Sequence, residues 1–150
     1  MELVQLLMTE VETEQGLGGR PSGGEDPEGI SVLLIEQDDL IRQSLMDWLA
    51  SVLAEARLVG LTFEEAERRA DHEEPAVIVV DIALIGRDGI DVVADLHKAF
   101  PDAQIVALSM GEDKERHGAV LAAGAAACLP AWQVRDKLEA TLYRLLGRTP

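Results

Sequence analysis

The sequence is poor in cysteine, in aromatic residues and in long apolar runs. Its single cysteine, Cys128, excludes an intrachain disulfide and a metal cage built from several cysteines. Aromatic residues make up 3% of the 150 residues, so aliphatic side chains must supply most of the core. No apolar run approaches the roughly 20 residues that a membrane-spanning helix needs. We therefore expect a soluble, cytoplasmic protein without a membrane association.

Positive charge is also scarce. The chain has 13 lysines and arginines against 28 aspartates and glutamates, a net charge of −15. Because neutralising nucleic-acid phosphates needs a basic surface, direct binding of DNA or RNA is not expected. The sequence also lacks a Gly-x-Ser-x-Gly motif, a Walker-type loop and a His, Cys and carboxylate cluster with metal-ligand spacing. These absences argue against an enzyme.

A stretch rich in glycine and proline, residues 16–29, separates a short N-terminal segment from the rest. Such a composition is typical of a flexible linker. The segment before it carries Leu3, Leu6, Leu7 and Val11 near helical spacing, which predicts a short amphipathic helix. That helix is either part of a loose tail or a docking or self-association element. The predicted organisation is a tail of residues 1–29 and a domain of residues 30–150.

Within the domain, apolar runs alternate with segments of helical periodicity. Strands are predicted at residues 31–35, 58–61, 76–80, 104–108 and 126–129. Helices are predicted at residues 39–55, 62–71, 90–100 and 112–123, with a last one carrying Val134, Leu138, Leu142 and Leu145. Parallel neighbours need crossover connections, and helices supply them. The pattern predicts an α/β fold, a doubly wound parallel sheet of five strands with five helices.

One carboxylate ends the most apolar of these strands. Residues 75–80 are uncharged, Asp81 follows them, and Gly86 and Gly89 mark a loop after it. The carboxyl ends of parallel strands are where open α/β sheets bind ligands. Asp81 is therefore the first candidate site residue.

Four segments, in this order and spacing, resemble the receiver domain of bacterial two-component response regulators: residues 32–42, 77–89, 105–109 and 122–130. The resemblance covers residues 30–147. It implies a flavodoxin-like sheet of order 2-1-3-4-5 and a partner histidine kinase or downstream effector. It also implies that Asp81 is the phosphoacceptor.

The resemblance further implies a Mg²⁺ ion held by an acidic pair after the first strand and by the phosphoacceptor. The pair reads Glu36 and Gln37 here, so one carboxylate ligand is an amide. The metal residues would be Glu36 and Asp81, and Mg²⁺ binding should be weak or lost. Asp38 is expected to open the following helix, with a shifted site in which it replaces the missing ligand as the alternative.

Two positions that carry the signal in this family are also changed. The phosphoryl-binding lysine falls on Ala131, and the aromatic reporter on the fifth strand falls on Cys128. Losing a charge-assisted hydrogen bond removes about 1.5–3 kcal/mol of phosphoryl interaction. The switch hydroxyl is present as Ser109. The resemblance thus describes an atypical receiver with a degenerate phosphorylation site.

Three functions remain open. The first is a stand-alone atypical receiver, a protein-interaction module largely independent of phosphorylation, in which Asp81 is an inherited, partly solvated acid. The second is a phosphate-accepting receiver that uses Asp81 with weak Mg²⁺, or the receiver part of a longer transcriptional regulator. The third, a flavodoxin-fold enzyme or nucleotide binder, is disfavoured because Glu36, Asp38 and Asp81 repel anions.

Other features concern partners. The last two helices carry mixed charges on a side that receivers use for dimers, so a homodimer through them is an expectation from the resemblance. The last helix ends near Gly147, which leaves no room for an output domain in the sequence as given. Trp132 either caps the site, anchors a partner or folds onto the end of the sheet. His72 and His117 are interpreted as surface residues among charges.

Overall fold

A five-stranded parallel sheet forms the centre of the fold in the computed structural model, which describes residues 30–83, 88–111 and 113–147. The strands pair in the order β2-β1-β3-β4-β5, and every pairing is parallel. This confirms the order predicted from the resemblance. The strands are β1 (Ser31–Ile35), β2 (Arg57–Leu61), β3 (Val77–Asp81), β4 (Gln104–Ser109) and β5 (Ala125–Pro130).

Five α-helices connect or follow the strands, as predicted. They are α1 (Asp39–Val52), α2 (Phe63–Arg68), α3 (Gly89–Ala99), α4 (Lys114–Ala122) and α5 (Glu139–Leu145). The capping box predicted at the start of α2 is present: Thr62 accepts a hydrogen bond from the backbone N–H of Glu65, and Glu65 accepts one from that of Thr62. Both exchanges satisfy backbone donors that the first helical turn leaves free.

The sheet is apolar on both faces because each strand alternates its side chains between two helical layers. On one face, Val32, Leu34, Val77 and Val79 pack with α1 and with the segment that contains Val134, Leu138 and Leu142. On the other face, Leu33, Ile35, Ile78 and Val80 pack with α2, α3 and α4. The two layers hold the ends of the central strands rigidly, and these ends carry the candidate site.

Several helices are shorter than the sequence pattern predicted. Helix α1 ends at Val52, because the backbone N–H of Leu53 closes the last turn on the carbonyl of Leu49. Helix α2 ends at Arg68 rather than at residue 71. The last helix is not continuous: Ala131–Gln133 form a 3-10 turn and Val134–Leu138 a π-helical turn before α5 begins. Pro130, which precedes the 3-10 turn, makes no side-chain capping hydrogen bond. The π-helical turn buries both Val134 and Leu138.

Gly124 joins α4 to β5 with a φ of +129°, a conformation that residues with a Cβ rarely adopt. A Cβ built there would lie 2.8 Å from Cγ of His97. The side chain of His97 therefore lies against this turn.

Two predicted features lie outside the described residues. These are the tail of residues 1–29, with its amphipathic segment and its linker, and the loop of residues 84–87, so the division at residue 30 stays a prediction. In the part of the chain that the structure describes, no helix is long and apolar enough to cross a membrane.

Candidate functional site

Three of the predicted site residues meet at the carboxyl edge of the sheet. Glu36 follows β1, Asp81 ends β3 and Ser109 ends β4, and these three strands are neighbours. Their exposed fractions are 0%, 3% and 6%. The expectation that Asp81 is partly solvated was therefore wrong, because the helices on both faces of the sheet exclude water from the strand end.

Glu36 and Asp81 form a buried carboxylate pair. Burial, a side-chain hydrogen bond with Asp81 and the charge of Asp81 raise the pKa of Glu36 to about 8. Oε2 of Glu36 accepts a hydrogen bond from the backbone N–H of Asp38 at 3.0 Å. Among the described residues, Oε1 of Glu36 has no hydrogen-bond donor. Since two ionised carboxylates can only accept, the pair needs a shared proton or a cation.

Asp81 is held by its own loop. Its Oδ1 accepts a hydrogen bond from the backbone N–H of Ala83 at 2.9 Å. The backbone N–H of Ile82 donates to the carbonyl of Leu108 on β4, which continues the sheet pairing past the strand end. The carboxylate is therefore fixed in direction by the backbone that follows it.

Gln37 faces away from this pair, toward the first turn of α2. Its Oε1 accepts a hydrogen bond from the backbone N–H of Phe63 at 2.6 Å. Its Nε2 lies 3.2 and 3.1 Å from Oε1 and Oε2 of Glu64, and this bond lowers the pKa of Glu64. Both ends of the amide are thus used to join the loop after β1 to α2. The sequence indicated that an amide replaces a carboxylate ligand at this position. It did not indicate the contact with Phe63, because that contact joins residues 26 positions apart.

Asp38 opens helix α1, as predicted. Its Oδ1 accepts hydrogen bonds from the backbone N–H groups of Leu40 and Ile41, at 2.9 and 3.0 Å. Asp38 is exposed. This geometry gives it a capping role and gives no support to the shifted site in which it would replace the missing ligand.

His117 was missed as a site residue. Its Nε2 lies 2.9 Å from Oγ of Ser109 and 2.8 Å from the carbonyl oxygen of Gly111. Because a carbonyl oxygen only accepts hydrogen bonds, Nε2 must carry the hydrogen. His117 therefore donates to the carbonyl oxygen of Gly111. The sequence feature that could have indicated this role is Asp113. It caps α4 and so places position 117 one turn into that helix, beside the end of β4.

At the end of β5, the positions to which the resemblance assigns an aromatic and a lysine are Cys128 and Ala131. Ala131 is buried, and Trp132 after it is 38% exposed. Cys128 is half-buried, and burial raises the pKa of its thiol, against the opposing effects of a hydrogen bond with Ser109 and the charge of Arg116.

A cleft of about 300 Å³ opens beside these groups. It lies next to the residues that follow Asp81 on one side and the first turn of α4 on the other. Its walls are formed by Ile82, Ala83, Ser109, Met110, Gly111, Asp113, Arg116 and His117. The site therefore combines a buried acid pair with an adjacent, more open space whose lining includes Ser109, Arg116 and His117.

The acid pair can be compared with the Mg²⁺ site that the resemblance implies. Within the described residues, no group of three or more His, Cys, Asp or Glu side chains is placed to hold a metal ion. Glu36 and Asp81 nevertheless offer two carboxylates, and Oε1 of Glu36 is a buried oxygen that a cation would satisfy. The pair offers two ligands of the kind that a hard cation prefers.

Comparison with known proteins identifies relatives in one family. The family model of the response regulator receiver domain matches residues 32–142. The response regulator GacA of Pseudomonas viridiflava is 29% identical over 99 residues, which cover 65% of this chain and 46% of that protein. The transcriptional regulatory protein LiaR of Bacillus subtilis is 28% identical over 117 residues, 74% of this chain and 55% of that protein. The chain spans about half the length of these curated relatives.

Solved structures share the fold. The signal receiver domain of a DNA-binding response regulator from Colwellia psychrerythraea superposes with a TM-score of 0.71 at 20% identity, covering 79% of this chain and 99% of that one. The response regulator RcsB of Salmonella typhimurium gives a TM-score of 0.68 at 16% identity, covering 81% of this chain and 63% of that one. At these identities the similarity concerns the fold alone.

Proposed function

The chain belongs to the response regulator receiver domain family, whose members are signalling modules of two-component systems, and from this premise we propose that it is an atypical receiver. It acts as a protein-interaction module, and its binding to partners is largely independent of phosphorylation at Asp81. The partner is a histidine kinase or a downstream effector. We also propose a cytoplasmic location.

The amide side chain of Gln37 is the main observation that supports this proposal. An ordinary receiver needs a second carboxylate near this position to hold Mg²⁺, and here an amide is engaged with Phe63 and Glu64 instead. Receiver domains typically bind Mg²⁺ weakly at the phosphorylation site. A neutral amide lowers the affinity for a hard cation further.

Two further observations support the same proposal. The sequence has no lysine between Lys114 and Lys137, and the position of the family's lysine is the buried Ala131. Glu36, with a pKa of about 8, holds a proton at neutral pH, so the acid pair is stable without a cation. A phosphoryl group on Asp81 would meet neither the usual metal nor the usual ammonium group.

A phosphate-accepting receiver is the second candidate, and one observation favours it. Oε1 of Glu36 is buried beside Asp81 without a donor, among the described residues. Glu36, Asp81 and water would hold Mg²⁺, which when bound offsets the negative charge of the carboxylates and of the phosphoryl oxygens. Asp81 would accept the group and Ser109 would donate to it.

The receiver part of a longer transcriptional regulator is a further form of either candidate. The chain covers about half of relatives that include a transcriptional regulatory protein. A homodimer through the last two helices is also proposed, on the resemblance alone.

Partner binding tests the first candidate. Cell extract is passed over the immobilised full chain, as wild type and as Asp81→Asn, each with and without Mg²⁺ and a small phosphodonor. We expect the same partner to be recovered in equal amount, within about twofold, in all four cases. Recovery that needs both Asp81 and the phosphodonor would support the second candidate and overturn the first.

A further inference from the structure

A groove of about 680 Å³ lies at the amino edge of the sheet, at the end of the domain opposite the acid pair. It forms where α1 and α5 end and where β1 and β2 begin. Of the described residues that line it, only Glu55 is charged. Its apolar wall consists of Ile30, Val52, Leu53, Ala56, Tyr143 and Leu146. This amino-edge groove therefore suits an apolar occupant better than a charged one.

Hydrogen bonds fix the walls of the amino-edge groove. The hydroxyl group of Tyr143 donates to the carbonyl oxygen of Val52 at 2.8 Å, which joins α5 to the end of α1. Nε2 of Gln104 donates to the carbonyl oxygen of Leu145 at 3.1 Å, which joins the end of α5 to the start of β4. The groove is therefore a preformed feature of the fold.

The floor of the groove continues into the hydrophobic core. Leu53 and Ala56 are each 6% exposed and belong to the cluster on that face of the sheet. Ile30, Tyr143 and Leu146 are half-buried and pack against the same cluster. An apolar side chain that enters the groove extends this cluster, so the burial of apolar surface would drive docking.

The chain itself carries an apolar segment of suitable length. Leu3, Leu6, Leu7 and Val11 share one face of the predicted N-terminal helix. In a helix this face is roughly 12 Å long, since each residue adds about 1.5 Å. A helix this short is marginal in water by itself, so it needs a surface against which to form.

The connection between this segment and the domain leads to the groove. The linker of residues 16–29 is followed directly by Ile30, which is part of the groove wall. A flexible chain of that length spans about 20 Å on average, so the segment reaches the groove without stretching the linker. A short flexible tether gives a local concentration on the order of millimolar. Connectivity therefore favours the chain's own segment over a second copy as the occupant.

We propose that residues 1–13 dock as an amphipathic helix into the amino-edge groove of their own domain. The apolar face of the helix enters the groove and adds to the cluster beneath it, while the polar face stays in water. The docked helix covers the edge of the sheet opposite Asp81, so docking does not depend on phosphorylation there. This inference goes beyond the proposed function, which gives the segment no role.

Matched variants of the full chain, labelled with ¹⁵N and ¹³C, test the docking by NMR. Leu6→Asp combined with Leu7→Asp puts two charges on the apolar face of the segment. We expect this variant to lower the ratio of docked to undocked chains at least about tenfold, because the groove would have to bury two carboxylates in place of two leucines. Gln5→Asp combined with Thr9→Asp adds the same charge to the polar face and should leave the ratio unchanged.

Two sets of signals report the docked state. Loss of docking should shift the backbone amide signals of Val52, Leu53 and Leu146 in the groove. It should also remove the helical Cα shifts of residues 3–11. If the leucine variant leaves the groove amides where the wild type has them, the segment does not occupy this groove and the proposal is wrong.

Ala54→Asp tests the same contact from the side of the groove. Ala54 lines the groove and is exposed, so the substitution should not disturb the core. We expect it to release the segment and to remove the helical Cα shifts of residues 3–11. Ala94→Asp, at an exposed position of α3, adds the same charge elsewhere and should keep these shifts. Equal helical shifts in the two variants would overturn the proposal.

A mixing experiment distinguishes the chain's own segment from that of a second copy. The labelled chain with Leu6→Asp and Leu7→Asp is mixed with an equal amount of unlabelled wild-type chain. We expect its groove amides to keep the positions of the undocked state, because each wild-type segment occupies its own groove. Return of these signals toward their wild-type positions would show docking between copies and would overturn the proposal.

Discussion

At the scale of the residue, the protonation of Glu36 explains how two buried acids lie together. One ionised carboxylate beside another in a water-excluded place is costly, and a proton on one of them removes the repulsion. The same edge of the sheet has a neutral amide at Gln37 and a methyl group at Ala131. The positions to which the resemblance assigns a carboxylate and a lysine therefore carry neutral side chains.

The pKa of Glu36 predicts a pH dependence of stability. Its pKa rises from 4.5 to about 8 on folding, so between these values the folded state binds more protons than the unfolded state. The free energy of unfolding should therefore fall as the pH rises from about 4.5 to about 8, by on the order of a few kcal/mol. Glu36→Gln has no proton to lose and should remove most of this fall.

Urea unfolding of both proteins at pH 6 and pH 9, with a chelator present, measures the difference. Glu67→Gln, which removes an exposed acid from α2, is the matched control and should keep the wild-type pH dependence. A fall of equal size in Glu36→Gln and wild type would contradict the assignment.

Gln37 gives a second prediction at this scale. Gln37→Asp restores a carboxylate and removes the amide that bonds to Phe63 and Glu64. Mg²⁺ affinity, followed by titration calorimetry, should rise roughly tenfold, the effect of one charge-assisted interaction. Gln43→Asp, at an exposed position of α1, should not change it. Unchanged affinity in Gln37→Asp would show that the amide is not what weakens the metal site.

At the scale of the element, features encoded by neighbouring residues were predictable. The cap at Asp38, the capping box at Thr62 and the strand that ends in Asp81 depend on residues within four positions of one another. The contacts of Gln37 and His117 were not predictable, because they join segments that only the folded sheet brings together. The π-helical turn at Val134–Leu138 was missed because its apolar spacing also fits an α-helix.

The turn between α4 and β5 gives a prediction for these elements. Gly124→Ala forces a Cβ within 2.8 Å of His97 and a rarely allowed φ. It should lower the free energy of unfolding by about 1–3 kcal/mol. Gly118→Ala, within α4 and with nothing within 4 Å of the added Cβ, should instead raise it by about 0.5–1 kcal/mol. Urea denaturation of both variants measures the two changes in the free energy of unfolding. Equal effects of the two substitutions would contradict the prediction.

At the scale of the whole molecule, the described part of the chain contains two hydrophobic clusters, one on each face of the sheet. Both hydrophobic clusters lie between Val32 and Leu142, which agrees with the residues that the family model matches. The fold class and strand order followed from the alternation of apolar runs and from the resemblance. The side-chain contacts of the site did not, since they depend on distances between side chains of separate strands and helices.

The tail allows a direct test of the domain division at residue 30. A chain of residues 30–150 should fold with a circular dichroism spectrum of the same shape and a melting temperature within a few degrees of the full chain, because it retains both clusters. Partner recovery by the two chains shows whether the tail docks the partner. Loss of cooperative unfolding in the shorter chain would contradict the division.

The mass of the intact protein after incubation with Mg²⁺ and a small phosphodonor tests the central proposal most directly. We expect the wild type to remain unmodified under conditions in which Gln37→Asp combined with Ala131→Lys acquires a phosphoryl group that Asp81→Asn in the same background cannot. This result would show that the changed neighbours silence Asp81. Full conversion of the wild type to the phosphorylated mass, abolished by Asp81→Asn, would contradict it.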